Sequence, residues 1–298
     1  VQLTGEGEIV GHDQLTADED ADLNIADTVT VENLDVVDAN GNNMAKGDDG
    51  SFFACAAQIG TQGYATLEEA LAKVATWTSI KLVADATLDY GARDVYGRLT
   101  TNDIIIDGQG FTLTLNQTNS DWSSIGMVNA DGKLTLKNMT IEKTGYGDTS
   151  GAWNTHAIIF SSNVEMSNVT VNNSVAVQNG ATLNKVTINE ANGYYGLWID
   201  GNGQTVTIEG GAINATNGGR GIKIADQYID APASVNLTLD DVVFNTAKKA
   251  AVLVSSVAGA AISADNCDIT NVAEDSVNLA WVDEDWATSF GNVTVNAT

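Results

Sequence analysis

The segment Leu134-Thr135-Leu136-Lys137-Asn138-Met139-Thr140-Ile141 recurs along the chain, and a recurrence of this kind limits the fold more than any single residue does. It reads as two apolar positions two residues apart, a bend residue, and two further apolar positions. An earlier copy carries Ile104/Ile106 with Gly108. Later copies carry Val164/Met166 with Asn168 and Val169/Val171, and Ala181/Leu183 with Lys185 and Val186/Ile188. Then follow Val206/Ile208 with Gly210 and Gly211/Ile213, Leu237/Leu239 with Asp241 and Val242/Phe244, and Ile262/Ala264 with Asn266 and Cys267/Ile269. Alternation at period two is a strand signal, and a phase break at a fixed place marks a corner between two strands. Apart from Lys185, the bend residue is Gly, Asn or Asp, the types that tolerate a left-handed backbone.

Copies starting at Leu134, Val164, Ala181, Val206, Leu237 and Ile262 are separated by 30, 17, 25, 31 and 25 residues. Repeats of roughly 20 to 50 residues indicate a solenoid, propeller or array. Between the corner units lie shorter apolar strands: 157–160, 175–177, 197–199, 222–224, 252–254 and 277–279. Each repeat thus holds three short strands joined by loops of variable length. A propeller is the competitor, but its blades are antiparallel and more even in length. From about residue 100 onward the pattern resembles the pectin-lyase-like superfold. The expected fold class is all-β, a right-handed parallel β-helix solenoid with a short N-terminal capping α-helix.

The cap is read from Thr66-Leu67-Glu68-Glu69, a capping box, with apolar spacing at Leu67, Ala70, Leu71 and Val74. A strand, 80–83, follows it. The run from Ile59 through the helix to Ile80-Lys81-Leu82-Val83 resembles the segment that leads into the solenoid in many bacterial surface β-helix proteins. A solenoid end exposes strand edges and an apolar cross-section, so a covering element is needed there. Upstream, Val29-Thr30-Val31-Glu32-Asn33-Leu34-Asp35-Val36 matches the corner unit position for position. The organisation expected is therefore an N-terminal β element, 1–57, and a capped parallel β-helix, 58–298. Two readings of the early copy stand. It is either an appendage packed on the same solenoid, or an assembly segment, through Val29, Val31, Asn33, Leu34 and Val36, that stacks on a neighbouring molecule. The C-terminal stretch, 290–298, reads as a strand with no cap helix. An open end and a spare unit are the ingredients of heterologous, head-to-tail association.

Composition narrows the partners. The 298 residues carry 39 acidic and 13 basic side chains, a formal charge of −26. That balance argues against nucleic acid and anionic membranes, because phosphate contacts need Lys and Arg. It also disfavours a polyanionic substrate such as pectate unless cations intervene. No stretch has the apolar length for membrane insertion, and no signal-peptide pattern is present, as expected of a mature or trimmed chain. A single proline, Pro232, suits stacked strands whose N–H groups are all needed. Of the two cysteines, Cys267 falls at an inward position and reads as a buried thiol, and pairing with Cys55 is the lesser alternative. Sequons occur at Asn116, Asn138, Asn168, Asn172, Asn214, Asn236, Asn292 and Asn296. Several lie within strands, which makes glycosylation the weaker reading.

Enzymes of the superfold resembled here place their chemistry on the outer face of one sheet. Hydrolases among them use clustered aspartates, and lyases use Ca²⁺-binding carboxylates with an Arg or Lys base. Alternation points Ala176, Trp198, Lys223, Leu253 and Asn278 outward, a stripe with no carboxylate pair. Leu197-Trp198-Ile199-Asp200 and Asn154-Thr155-His156 are partial look-alikes, and neither is followed by the rest of its family's pattern. No catalytic residue is assigned. The best constellation is Trp198 and Asp200 on one strand with Arg220 and Lys223 on the next, flanked by Tyr194, Tyr195 and Trp153. It reads either as a surface salt bridge of little energetic value or as an aromatic-plus-polar glycan-binding platform. No cofactor is required. Ca²⁺ is a candidate ligand for the acidic clusters Asp18, Asp20, Asp22 and Asp283, Asp285, although neither has an EF-hand loop. The function expected is that of a secreted or cell-surface, non-enzymatic structural or adhesive protein, with end-to-end self-association. The alternative is a carbohydrate-active β-helix, because fold alone does not fix function.

Overall fold

The computed structural model describes residues 52–75, 78–90, 99, 103–118, 124–127, 132–146, 157–191, 195–200, 203–216, 220–225, 234–246, 250–255, 259–271, 278–282 and 292–298. Before these it describes the segments 2–3, 7–10, 14–17, 24–25, 29–32, 35–38 and 43–46.

The chain is a parallel β-helix. Strands Ile104–Asp107, Lys133–Gly145, Asn163–Asn172, Ala181–Asn189 and Thr205–Ala215 stack in parallel and continue through Val235–Asp240 and Gly259–Asp265 to Asn292–Ala297. A six-stranded sheet closes the remaining side, running Ile158–Phe160, Val175–Val177, Tyr195–Asp200, Arg220–Ala225, Ala250–Ser255 and Asn278–Val282. Register is kept from turn to turn: Leu134 pairs with Val164, Val164 with Ala181, Ala181 with Val206, and Val206 with Leu237. Inward alternate positions therefore form continuous apolar columns, buried from Ile80 to Ile262.

Corner residues adopt the backbone that their types predict. Asn138, Asn168, Asp241 and Asn266 have φ of 54°, 53°, 55° and 50°, and Gly210 has 67°. Lys185 is bent the same way, at 52°, without the residue type that makes the bend easy. The first corner departs from expectation. Asp107 pairs with Lys137 and Thr112 with Thr140, so residues 108–111 stand opposite Asn138 and Met139 alone. The two additional residues move the left-handed positions from Gly108 to Gln109 and Gly110.

Side-chain amides run along the stack in ladders. Asn172 Nδ2 donates to Glu142 Oε1 (3.5 Å), Asn189 to Asn172 (2.9 Å), Asn214 to Asn189 (2.8 Å) and Asn245 to Asn214 (2.7 Å). At the corner, Asn138 Nδ2 donates to Asp107 Oδ1 (3.0 Å) and Asn168 Nδ2 to Asn138 Oδ1 (3.3 Å). The nitrogens that glycosylation would modify at Asn138, Asn168, Asn172 and Asn214 are thus engaged between turns. Burial pushes the Asp107 carboxyl up, but bonds from Asn138, Gln109 and Lys137 outweigh it and hold the group below its ordinary value.

The helix at Leu67–Leu71 is shorter than the apolar spacing suggested and buries Leu67, Ala70 and Leu71 against the first turn. Thr66 Oγ1 accepts from Glu69 N (3.1 Å), and Glu69 Oε2 accepts from Ala65 N (3.0 Å). Val74 packs on the core just beyond the helix.

Upstream of the helix the early copy has a companion. Val29–Glu32 pairs in parallel with Gly7–Val10, Asp35–Asp38 with Gln14–Ala17, and Asn24–Ile25 with Gln2–Leu3. The described strands of this segment thus form three two-stranded parallel ladders, each joining a strand before residue 18 to one after residue 23. Asn43 ties this element to the main body: it bridges to Val37, its carbonyl accepts from Cys55 N (3.0 Å), and its Nδ2 donates to Val83 O (3.4 Å).

Both cysteines are free. Cys55 is buried, whereas Cys267 is only partly so, against the expectation of a buried thiol. The strand after it, Asp268–Asn271, pairs among the described residues with Val243–Thr246 on one side only. Burial raises both thiols above their ordinary value.

Candidate functional site

Adjacent strands Tyr195–Asp200 and Arg220–Ala225 build the candidate site. Their register sets Tyr195 beside Arg220, Trp198 beside Lys223, and Asp200 beside Ala225. Leu197, Ile199, Ile222 and Ile224 point into the main core, so Trp198, Asp200 and Lys223 take the outer face.

That outer face is not a wet stripe. Trp198 is 4% exposed and belongs to a second apolar cluster with Ala157, Ile159, Ala176 and Ala225, against which Tyr195 packs. Leu253 is buried as well. Ala176, Trp198 and Leu253 take the outward side that alternation predicts, but they are buried there. Each is one apolar residue on its own strand, but register places Ile159, Ala176 and Trp198 side by side, and together they make a buried patch. The stripe also ends differently. Leu253 pairs with Trp281, and Asn278 aligns with Ala250 instead.

The polar groups of the cluster are committed to one another. Trp198 Nε1 donates to Asp200 Oδ1 (2.9 Å) and Gln178 Nε2 to Asp200 Oδ2 (3.2 Å), while Gln204 Nε2 donates to the Asp200 carbonyl. Asp200 is 2% exposed, and its two carboxylate oxygens hold the indole and an amide. Lys223 Nζ lies 4.0 Å from the Trp198 ring centroid and 5.0 Å from that of Tyr195. The Arg220 guanidinium sits 5.8 Å from the Tyr195 ring, and Arg220 Nη1 donates to Tyr195 Oη (3.2 Å). Tyr195 and Trp198 meet edge to face, at 5.5 Å and 89°. Cation–π contacts of this kind contribute roughly 0.5–2 kcal/mol each, more as water is excluded.

This arrangement limits the chemistry. A saccharide stacks on an open aromatic face, and the Trp198 face is covered by Lys223. Glycoside hydrolysis needs two carboxyls about 5–10 Å apart across a substrate, and among the described residues of the cluster the one carboxylate, Asp200, is buried and bonded. What remains accessible is a half-buried rim of Tyr195, Arg220 and Lys223, cationic on a strongly acidic chain. Gln178 and Gln204 are the participants that the sequence reading missed. Gln178 follows the apolar strand Val175–Val177 directly, one turn before Asp200, and that position was its only signal.

Trp153, Tyr194 and His156 lie outside the described residues, as do Asn33 and Leu34 of the early copy and all five aspartates, Asp18, Asp20, Asp22, Asp283 and Asp285. Among the described residues, no group of three His, Cys, Asp or Glu side chains is placed to hold a metal ion. Val29 and Val31 sit in the strand paired with Gly7–Val10, and Val36 is buried in the strand paired with Gln14–Ala17. At the other end, Val295 is 44% exposed, although it continues a column in which Val206, Leu237 and Ile262 are buried.

The family model of a pectate lyase-like adhesive domain matches residues 58–178. No curated protein and no solved structure matches the chain. The match begins just before the cap helix and runs through the strand Val175–Val177, so it covers the cap and the first turns of the solenoid.

Proposed function

We propose that the chain is an extracellular adhesive and structural module of a cell surface, and that it works by binding and stacking instead of by catalysis. The match to an adhesive domain over residues 58–178 carries this reading. The outer-face cluster supports it: its carboxylate is spent on holding Trp198, and its aromatic ring is spent on holding Lys223. Incubation with pectate and with neutral plant and bacterial polysaccharides, with and without Ca²⁺, tests it. No unsaturated or reducing ends should accumulate, while the protein should be retained on surfaces bearing its ligand. Turnover that is lost in Asp200→Asn would overturn it in favour of a carbohydrate-active β-helix.

Self-association end to end is the finer part of the proposal. Its support is twofold: strands Gly7–Val10 and Gln14–Ala17 pair in parallel with Val29–Glu32 and Asp35–Asp38 as successive turns of a solenoid do, and Val295 is exposed in a column that is buried at Ile262. A copy whose residues 2–17 stack on the 292–297 strand of another would extend the ladders across the junction. Light scattering of the 298-residue chain at rising concentration should give multiples of the protomer, and Val295→Lys should return it to monomer.

A second reading is kept by one observation. The half-buried rim of Tyr195, Arg220 and Lys223 presents two cations together, as an acidic glycan requires. Binding of such a glycan that weakens in Arg220→Ala and in high salt would favour this reading.

A further inference from the structure

The amide-ladder column has a neighbour whose residues point the other way, into the solenoid. One residue beyond the paired positions Glu142 and Asn172, Lys143 stands next to Asn173. One residue beyond the amide-bonded pair Asn172 and Asn189, Asn173 stands next to Glu190. The column continues to Leu115 on one side, which pairs with Lys143, and towards Ala215 and Thr246 on the other. All of its members are buried: Lys143 is 8% exposed, Asn173 8% and Glu190 4%, between a buried Leu115 and a buried Ala215. Adjacent turns of a sheet lie about 4.8 Å apart. Three consecutive turns thus place an amine-bearing, a carboxamide-bearing and a carboxyl-bearing residue in one buried column.

A further detail singles the column out. Asn173 Oδ1 is buried and accepts no hydrogen bond, a condition that costs about 1–3 kcal/mol and calls for an explanation. The neighbouring carboxyl of Glu190, when protonated, is a donor of the kind this oxygen lacks. Lys143 Nζ donates to the Tyr146 carbonyl (2.8 Å), which keeps the amine at the same corner of the fold.

We propose that Lys143 and Asn173 join in an intramolecular isopeptide bond between adjacent turns, with Glu190 carrying the proton. Transfer of one proton from the Lys143 ammonium to the Glu190 carboxylate leaves both groups neutral with no change in net charge. A low dielectric makes that neutral pair accessible. Glu190 then donates to Asn173 Oδ1 and polarises the amide. The Lys143 Nζ lone pair attacks Asn173 Cγ, the Cγ–Nδ2 bond breaks, and Nδ2 leaves as ammonia after taking the proton that Nζ loses. Amine and carboxamide become a secondary amide plus ammonia, with no oxidant or co-reactant. The bond locks neighbouring turns together in a fold whose turns otherwise interact only with their neighbours, and it removes the buried ammonium.

Intact mass of the folded 298-residue chain tests this directly. The expected mass is short by one ammonia. Digestion after Lys and Glu should leave residues 143–165, uncut at Lys143 because its amine is acylated, joined through that side chain to residues 166–185, which contain Asn173. Glu190→Gln, which keeps the shape of the side chain, should fold with the same circular dichroism and recover the full mass, as should Asn173→Ala. A full-length mass for the folded wild-type chain overturns the proposal. So does ammonia loss without the Lys143–Asn173 cross-linked peptide.

Discussion

Gly210 and Gly211 are adjacent, both left-handed, and should respond very differently to the same substitution. Gly210 has φ +67°, and a Cβ added there would meet nothing nearer than Lys185 Cγ at 3.6 Å. Gly211 has φ +86°, and its added Cβ would lie 2.1 Å from Val186 O, 2.7 Å from Val186 N and 2.8 Å from Val186 C. Those atoms are backbone of the preceding turn, paired in register with Gly211 itself, so they cannot swing aside as a side chain would. Gly210→Ala therefore costs only the left-handed conformation, about 1–2 kcal/mol. Gly211→Ala costs that plus the overpacking of two stacked turns, about 1–3 kcal/mol more, for a total of roughly 2–5 kcal/mol. Urea denaturation followed by circular dichroism reads the difference as a lower midpoint at unchanged slope. Hydrogen exchange at the amides flanking Val186 localises it if the solenoid opens in parts. Equal losses for the two variants, or a larger loss for Gly210→Ala, would refute the turn-to-turn contact.

Lys185→Asn puts at this corner the residue type found at Asn138 and Asn168, and should raise stability by about 0.5–1 kcal/mol in the same urea experiment. Asn189→Ala removes the bonds to both Asn172 and Asn214 and should cost about 1–2 kcal/mol; a loss no larger than at an isolated surface asparagine would count against the ladder. Asp107 has a folded-state pKa below its unfolded one. Its contribution is therefore complete above the ordinary carboxylate value and fades as pH falls through the depressed one, because the unfolded chain binds the proton first. Asp107→Asn should flatten the acid limb of the stability profile and leave its neutral limb parallel. Trp198→Ala empties a buried patch, and a loss of about 3–5 kcal/mol is expected in thermal or urea melts.

Much of the solenoid was legible because its determinants are local. A bend type at a fixed phase announced the left-handed corners at Asn138, Asn168, Gly210, Asp241 and Asn266, and strict alternation announced the inward columns. Burial on the outer face was not legible. Ile159, Ala176 and Trp198 each sit in a separate strand, and only the register between turns assembles them. The first N-terminal turn was hidden for a related reason: Gly7–Val10 and Gln14–Ala17 carry too little alternation to announce strands, and pairing with residues 24–38 defines them. Lys143, Asn173 and Glu190 continue the inward phase of Ile141, Val171 and Ile188 by one step. A repeat defined by apolar residues stops where polar ones begin, so it does not reach them. Asp200 looked like a surface partner for Lys223, but register gave that place to Trp198 and left the carboxylate to the indole and to Gln178.

The proposed end-to-end association of this β-helix has a visible consequence. Negative-stain electron microscopy of the purified 298-residue chain at physiological salt tests it most directly. Rods that lengthen end to end in protomer steps, and that shorten to single protomers with Val295→Lys, are the predicted result. Uniform single-protomer particles at every concentration would contradict it.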